Sequence, residues 1–163
     1  MSERIVHPFS PVYNSESRIL ILGSFPSAAS RAQEFYYGHP RNRFWPLLAA
    51  LLGVREPQTI EEKTHMLLRH HIALYDAVTA CTITGSADAS MQSIIPADLS
   101  SIFQEAPIQA VFANGTKAYE VCIKHIGISA IKLPSTSPAN ARFGFAELLE
   151  AWKQILSEAG LTH

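Results

Sequence analysis

Cysteine is scarce in this chain: Cys81 and Cys122 are the only two among 163 residues. Neither has a second cysteine at ligand spacing, which leaves a structural zinc or an iron–sulfur cluster without support. The seven histidines do not repair this. His7, His65, His125 and His163 are scattered, His70 and His71 close a helix pattern, and only His39 falls in a loop of interest. No metal and no cofactor is expected. Long hydrophobic runs are missing too, and none approaches the ~20 residues that cross a bilayer. The opening MSERIVHPFSPVYN has neither the basic stretch nor the apolar core of a signal peptide. Basic charge is not in excess, since the net charge is −1, whereas a protein held on nucleic acid by bulk electrostatics is expected to be basic. Any such contact must rest on a local cluster, for which Arg31, Arg41, Arg43, Lys132 and Arg142 are the candidates. With 47% hydrophobic residues, the chain reads as one domain, 1–163. A domain of this size buries roughly 68–70% of its unfolded surface, enough for a core without staples. The expectation is a soluble, reduced, cytoplasmic monomer with no membrane contact.

What is present is an alternation of strand and helix patterns. RILILG (18–23) is a continuous apolar run stopped by glycine, as in a buried strand. Phe44, Leu47, Leu48, Leu51 and Leu52 recur at helical spacing, with Pro46 in the first turn and Gly53 as a stop. A second helix is predicted from Pro57 to about His70. HIALYDAV (71–78) and IQAVFANG (108–115) are the second and third strands. A helix from Thr116 to about His125 follows, and SAIKLPS (129–135) is a fourth strand. A final helix carries Phe145, Leu148, Leu149, Trp152, Ile155 and Leu156 on one face. This order predicts an α/β fold: three layers, α/β/α, around a four-stranded, mainly parallel sheet. Ligands in such folds bind at the carboxyl ends of the strands.

Two loops at those ends carry chemistry. The first, GSFPSAASRAQEFYYGHPRNRFW (23–45), is too long to be a plain connection. Its serines surround a turn after a strand, where backbone N–H groups can meet an anion. It has neither Walker nor dinucleotide spacing. Phe35, Tyr36 and Tyr37 offer flat faces, and base stacking contributes roughly 1–3 kcal/mol per base. Arg41 and Arg43 flank Asn42, which reads equally as N-cap of the following helix. The second loop, LPSTSPANAR (133–142), has hydroxyls and prolines suited to gripping a phosphate, or Asn140 as a helix cap. Asp76 ends the second strand, as a reader of a polar edge or as a turn residue. Asn114 precedes Gly115 as a helix-start residue or a base contact. Thr79 to Ile95 is small and polar, with Gly85, Ser86 and Asp88 in its middle, and no strand or helix pattern claims most of it. We expect it to line a nucleic-acid groove.

In register, GSFPS, YYGHPRNRFW, YDAV…GSAD, FANGTKAY and LPSTSPANAR resemble the uracil-DNA glycosylase superfamily, most of all its hypoxanthine-DNA glycosylase branch. The resemblance runs from about Arg18 to Trp152. HPxNxFW is shared with the mismatch-specific uracil and thymine glycosylases, whose first motif reads GINPG. Two departures stand out: Phe25 replaces the water-positioning asparagine of that motif, and Ser135 stands where many relatives carry histidine or asparagine in the last. By resemblance, Asn42 is the catalytic residue, holding the water or hydrogen-bonding the leaving base. Phe25, Phe35, Tyr36, Asp76 and Asn114 would contact the base, while Ser24, Ser27, Arg43, Ser135, Ser137 and Arg142 would grip DNA phosphates. The activity implied is monofunctional excision of a deaminated base from DNA, hypoxanthine first and uracil second, in base excision repair. Lys117 and Lys132 belong to no lyase motif. Two other readings keep the same pocket: a damaged-nucleotide binding module that does not need Asn42, and a hydrolase of free nucleotides.

Overall fold

The computed structural model describes residues 3–83 and 91–158. In chain order the strands are β1 Glu3–Val6, β2 Ile19–Gly23, β3 Ile72–Asp76, β4 Val78–Ile83, β5 Gln92–Pro96, β6 Ala110–Asn114 and β7 Ile131–Leu133. The helices are α1 Ala28–Gln33, α2 Phe44–Leu52, α3 Ile60–Arg69, α4 Ser100–Glu105, α5 Thr116–Val121, α6 Phe145–Trp152 and α7 Gln154–Glu158. A π-helical run, Cys122–Ile126, prolongs α5.

Four strands form one sheet in the order β3-β2-β6-β7, and every neighbouring pair is parallel. These are the four strands predicted from the sequence. Strand β2 is central, and its five residues are all buried. That is why it reads as an unbroken apolar run: a parallel strand covered on both faces needs no polar side. Ile19 and Ile21 join the core formed with α2, α3 and α6, including Leu48, Leu67 and Trp152. Leu20 and Leu22 face the opposite core, with Ile102 of α4 and Ala118 and Val121 of α5. Helices therefore cover both faces, giving the expected α/β/α layers.

The terminal elements depart from the sequence reading in detail. Helix α3 begins at Ile60, three residues into the predicted segment, where the Thr59 side chain accepts from the Glu62 N–H as an N-cap. The last helix is two, α6 and α7, separated at Lys153. Leu148, Trp152 and Ile155 are buried, but Phe145 is exposed. Asn140 caps neither; Gly144 stands at the N-cap position of α6 and its N–H donates to Glu147 Oε1.

A larger departure is the second sheet. Strands β1, β4 and β5 form a three-stranded antiparallel sheet in the order β1-β4-β5, where no strand pattern was legible across most of 79–95. The reason lies in β4. Its pairing with β5 shifts register between Val78 and Ala80 and again between Ala80 and Thr82. Such bulges break the period-two alternation by which a strand is recognised. Gly85, Ser86 and Asp88, offered as the centre of a groove-lining segment, lie outside the described residues.

Candidate active site

At the carboxyl ends of the parallel strands lies a cavity of about 410 Å³. Its walls are the turn from Gly23 to Ser27, the segment from Tyr36 to Asn42, Asp76 after β3, Asn114 after β6, and the loop from Ser135 to Ala139. The fold thus gathers Ser24, Phe25, Ser27, Tyr36, Asn42, Asp76, Asn114, Ser135 and Ser137 from distant stretches of sequence. Phe35, Arg43 and Arg142 do not line it.

Asn42 has a defined orientation. Its Oδ1 accepts from the Phe44 backbone N–H at 2.9 Å, an obligatory donor that fixes which end of the amide is oxygen. The Thr136 hydroxyl donates to the same oxygen at 2.8 Å. Both lone pairs of Oδ1 are therefore occupied, and Nδ2 is the group left to act in the cavity. The cap reading needs a small shift: the N-cap position of α2 is Arg43, and Asn42, one residue earlier, closes off the first helical N–H with its oxygen while lining the cavity. Thr136, fully buried, can donate to Asn42 because its Oγ1 accepts from Asn114 Nδ2 at 3.1 Å. Asn114 Oδ1 in turn accepts from the Thr136 N–H at 3.1 Å. Asn114 is thus a strut of the cavity wall, tied to the last loop across 22 residues of chain, and does not cap α5. Gly115 makes this closeness feasible, since its φ is +97° and an added Cβ would lie 3.1 Å from Ser135 Cβ.

Arg43 corrects an expectation. Its guanidinium donates to the carbonyls of Phe143, Ser137 (2.9 Å), Asn140 (3.0 Å) and Thr136 (3.4 Å). Its N–H groups are committed to four main-chain acceptors, so it moulds the last loop from within and does not reach for a phosphate. Phe35 is corrected as well. It is 8% exposed, stacks on Trp45 at 6.0 Å between centroids and 14° between planes, and belongs to the core. The cavity-facing aromatics are Phe25, Tyr36 and Tyr37. Tyr37, half-buried and stacked on Phe44 at 4.1 Å, lines the cavity where Phe35 does not. Tyr36 lines the wall, but its hydroxyl is tied to the Ser10 carbonyl at 2.8 Å. Burial, with Asp76 nearby as the next cause, holds that hydroxyl far above the ordinary tyrosine range, so it stays protonated.

The serines are turn-forming residues whose hydroxyls border the cavity. Ser27 Oγ accepts from the Ser30 N–H as the N-cap of α1. Ser135 and Ser137 Oγ accept from the N–H two residues on, at 3.1 Å each, as in hydroxyl turns. Accepting leaves the O–H of Ser135 and Ser137 able to donate. Arg142 is exposed, while Arg31 donates to the Pro26 carbonyl at 2.9 Å.

Asp76 is 3% exposed and sits beside Gly23 in the β2–β3 register. A Cβ on Gly23 would come within 2.4 Å of Asp76 Oδ1, so only glycine admits the carboxylate at the cavity floor. The other carboxylate oxygen lies 2.8 Å from His7 Nε2. Neither His7 nor Thr136 was singled out from the sequence. The signal for Thr136 was its place between two noted serines. His7 stands 69 residues from its partner, and no motif joins them. Among the described residues, no group of three histidines, cysteines or acids can hold a metal ion, and no helix is long and apolar enough to cross a membrane.

Comparison with known proteins covers most of the chain. Residues 10–156 match the sequence profile of the uracil DNA glycosylase superfamily. A hypoxanthine DNA glycosylase of Methanosarcina acetivorans is 35% identical over 139 residues, covering 83% of this chain and 88% of the relative. One from Methanosarcina barkeri is 34% identical over 139 residues, covering 82% and 87%. The solution NMR structure of a candidate uracil DNA glycosylase from Methanosarcina acetivorans superposes with a TM-score of 0.74 at 32% identity, over 90% of this chain and 96% of that one. With the parallel sheet, the loop cavity and the ordered motifs in agreement, the chain belongs to the uracil DNA glycosylase superfamily.

Proposed function

We propose that the protein excises hypoxanthine from DNA as a monofunctional glycosylase, with uracil the second substrate. The observation that carries this reading is the pairing of a fixed donor with a fixed acceptor in one cavity: Asn42 Nδ2, oriented by Thr136, and Asp76 Oδ1, on the floor beside Gly23. Deamination of adenine turns a bare ring nitrogen into an N–H beside a carbonyl, and deamination of cytosine does the same. A carboxylate oxygen accepts from that N–H and repels the lone pair of the parent base. The relatives named hypoxanthine DNA glycosylases favour the purine.

The chemistry follows from the arrangement. The target nucleotide leaves the stack and enters between Phe25 and Tyr37. As the bond from C1′ to the base breaks, its electron pair moves to the base and positive charge grows on the sugar, where flanking DNA phosphates offset it. Asn42 Nδ2–H donates to the base as it becomes anionic, a pre-oriented dipole aimed at developing charge. Water adds at C1′, and the proton it releases passes through solvent to the departed base anion, leaving a neutral base and an abasic sugar. Phe25, in the first motif, offers no hydrogen bond to that water; it supplies an apolar wall. Ser24, Ser135 and Ser137 border the cavity as phosphate donors, with Arg142 outside it, while the Ser27 hydroxyl donates to Ser30 Oγ at 3.2 Å.

The test is a set of oligonucleotides, single- and double-stranded, each carrying one deoxyinosine, deoxyuridine, deoxyxanthosine or mismatched thymidine. Strand breaks should appear only after alkali, fastest at deoxyinosine and next at deoxyuridine. Breaks without alkali would show a lyase, and turnover of free nucleotides with intact DNA would make the protein a nucleotide hydrolase.

A further inference from the structure

The family profile begins at residue 10, and His7 lies before it. The residue ends up inside the protein all the same. Strand β1 pairs with β4, and the His7 N–H continues that pairing by donating to the Thr79 carbonyl at 2.7 Å. Because β4 follows β3 after a single residue, Ala77, this pairing carries His7 back to the end of β3. Its side chain is 1% exposed. Phe9 and Tyr75 pack on the ring at 4.4 and 4.9 Å between centroids, with Phe25 and Tyr36 farther out at 6.0 and 6.1 Å.

The hydrogen bonds constrain the protons. Nδ1 lies 2.8 Å from the Phe9 carbonyl oxygen and 3.4 Å from the Phe9 nitrogen, and the much shorter contact to the carbonyl is attractive only if Nδ1 carries hydrogen. Nε2 lies 2.8 Å from Asp76 Oδ2, so a second proton must sit between these two atoms. Whichever partner holds it more closely, Oδ2 is occupied and cannot turn into the cavity. Oδ1 is then the oxygen presented beside Gly23. Burying a carboxylate without a partner is costly, and His7 supplies that partner.

We infer that His7 is a positioning residue for substrate selection: by binding Oδ2 it holds Asp76 so that Oδ1 accepts the ring N–H of a deaminated base and rejects the parent base. The inference rests on the reading of Asp76 given above. It gives the amino-terminal strand, outside the family match, a role in choosing the base.

The experiment measures binding to duplexes carrying a 2′-fluorinated deoxyinosine or 2′-fluorinated deoxyadenosine, which resist cleavage, together with single-turnover excision from deoxyinosine DNA. His7→Leu removes the contact. His7→Asn is long enough to keep a bond to the Phe9 carbonyl but too short for Asp76, and it guards against a leucine variant that fails to fold. His7→Gln can place an N–H where Nε2 stands. The expected result is a loss of about 10- to 100-fold in inosine-over-adenosine preference for His7→Leu and His7→Asn, the scale of one hydrogen bond to a charged group. His7→Gln should recover most of it. In an Asp76→Asn background the His7 substitutions should add nothing. If Asp76→Asn erases the preference while His7→Asn leaves it intact, Asp76 reads the base and the role of His7 is overturned. If Asp76→Asn itself keeps the preference, the base-reading assignment fails and this inference falls with it. A lower melting temperature with an unchanged preference would make His7 purely structural, which also overturns the inference.

Discussion

The opening loop (23–43) and the closing loop (134–143) form facing walls of one cavity, yet they are held by different forces. The opening loop is anchored by apolar packing: Phe35 and Tyr36 are buried in the core cluster with Trp45 and Phe44. The closing loop has little such anchor. Its shape depends on the Arg43 guanidinium and four carbonyls, on Asn114 against Thr136, and on Asn140 Nδ2 donating to the Ser135 carbonyl at 3.0 Å. Packing is non-directional and tolerates similar shapes. A hydrogen-bonded scaffold is directional and fails when one member is lost. The loop that orients Asn42 is thus the one with the less forgiving support. Asn42 and Arg43, adjacent in sequence, divide the work, one turned to the cavity and the other into the closing loop.

Arg43→Ala should separate the loops most completely. It leaves several carbonyls without their donor, and a loss of about 2–4 kcal/mol in unfolding free energy is expected. Excision should fall on the order of 10³-fold, since the loop and the orientation of Asn42 are lost together. Arg43→Lys should not restore it, because an ammonium cannot reproduce the planar fork. The slope of log affinity against log salt should stay constant, whereas loss of a duplex phosphate contact would change it by about 0.9. A slope change of that size would return Arg43 to the DNA surface.

Next in size is Asn42. Asn42→Ala should lower single-turnover excision by roughly 10²- to 10³-fold, the scale of one preorganised donor, with a stability cost of about 1 kcal/mol for the lost cap. Asn42→Asp keeps the cap but offers only acceptors, so it should be as inactive as alanine. Activity in the aspartate variant would mean that Asn42 works through its oxygen, on water. Thr136→Val tests the link between the loops. Removing the hydroxyl frees the Asn42 amide to rotate, and excision should fall about tenfold, the equivalent of one neutral hydrogen bond. Thr136→Ser should recover it.

The two regions also differ in how far the sequence exposes them. The parallel strands were legible because burial on both faces leaves an apolar run, as in Ile19 to Leu22, and a small-residue turn ends it. The members of the cavity are legible as loop ends, as Asn42, Asp76 and the serines show. Partners were not legible. That Arg43 points away from the cavity depends on the closing loop arriving about ninety residues later in the chain. Ser135 and Ser137 stand out as hydroxyls, whereas Thr136 between them is the fully buried one and the one that holds Asn42. The β1-β4-β5 sheet was hidden by bulges, and with it the route by which His7 reaches Asp76. Aromatic side chains were the least readable: of Phe35, Tyr36 and Tyr37, the sequence cannot show which ring the core absorbs.

That last point gives the smallest expected effect and a control on the comparison. If the opening loop is held by packing, conservative change in its anchor should cost stability and leave chemistry alone. Phe35 is the place to look, since it is buried against Trp45 and away from the cavity. Phe35→Leu keeps an apolar side chain of somewhat smaller volume, and a loss of about 1 kcal/mol is expected, with part of the gap closed by neighbours. For a domain of this size that corresponds to a melting temperature lower by roughly 2–4 °C. Well below the transition, excision of hypoxanthine and affinity for DNA should match the unaltered protein. A stacking residue would behave in the opposite way: loss of the ring would weaken base capture by roughly 1–3 kcal/mol per base with little change in melting. Tyr37→Leu should show that second pattern, because Tyr37 is the tyrosine at the cavity wall that rests on Phe44. Weakened capture in Phe35→Leu, with Tyr37→Leu indifferent, would reverse the assignment and place the opening loop in a different conformation when DNA is bound.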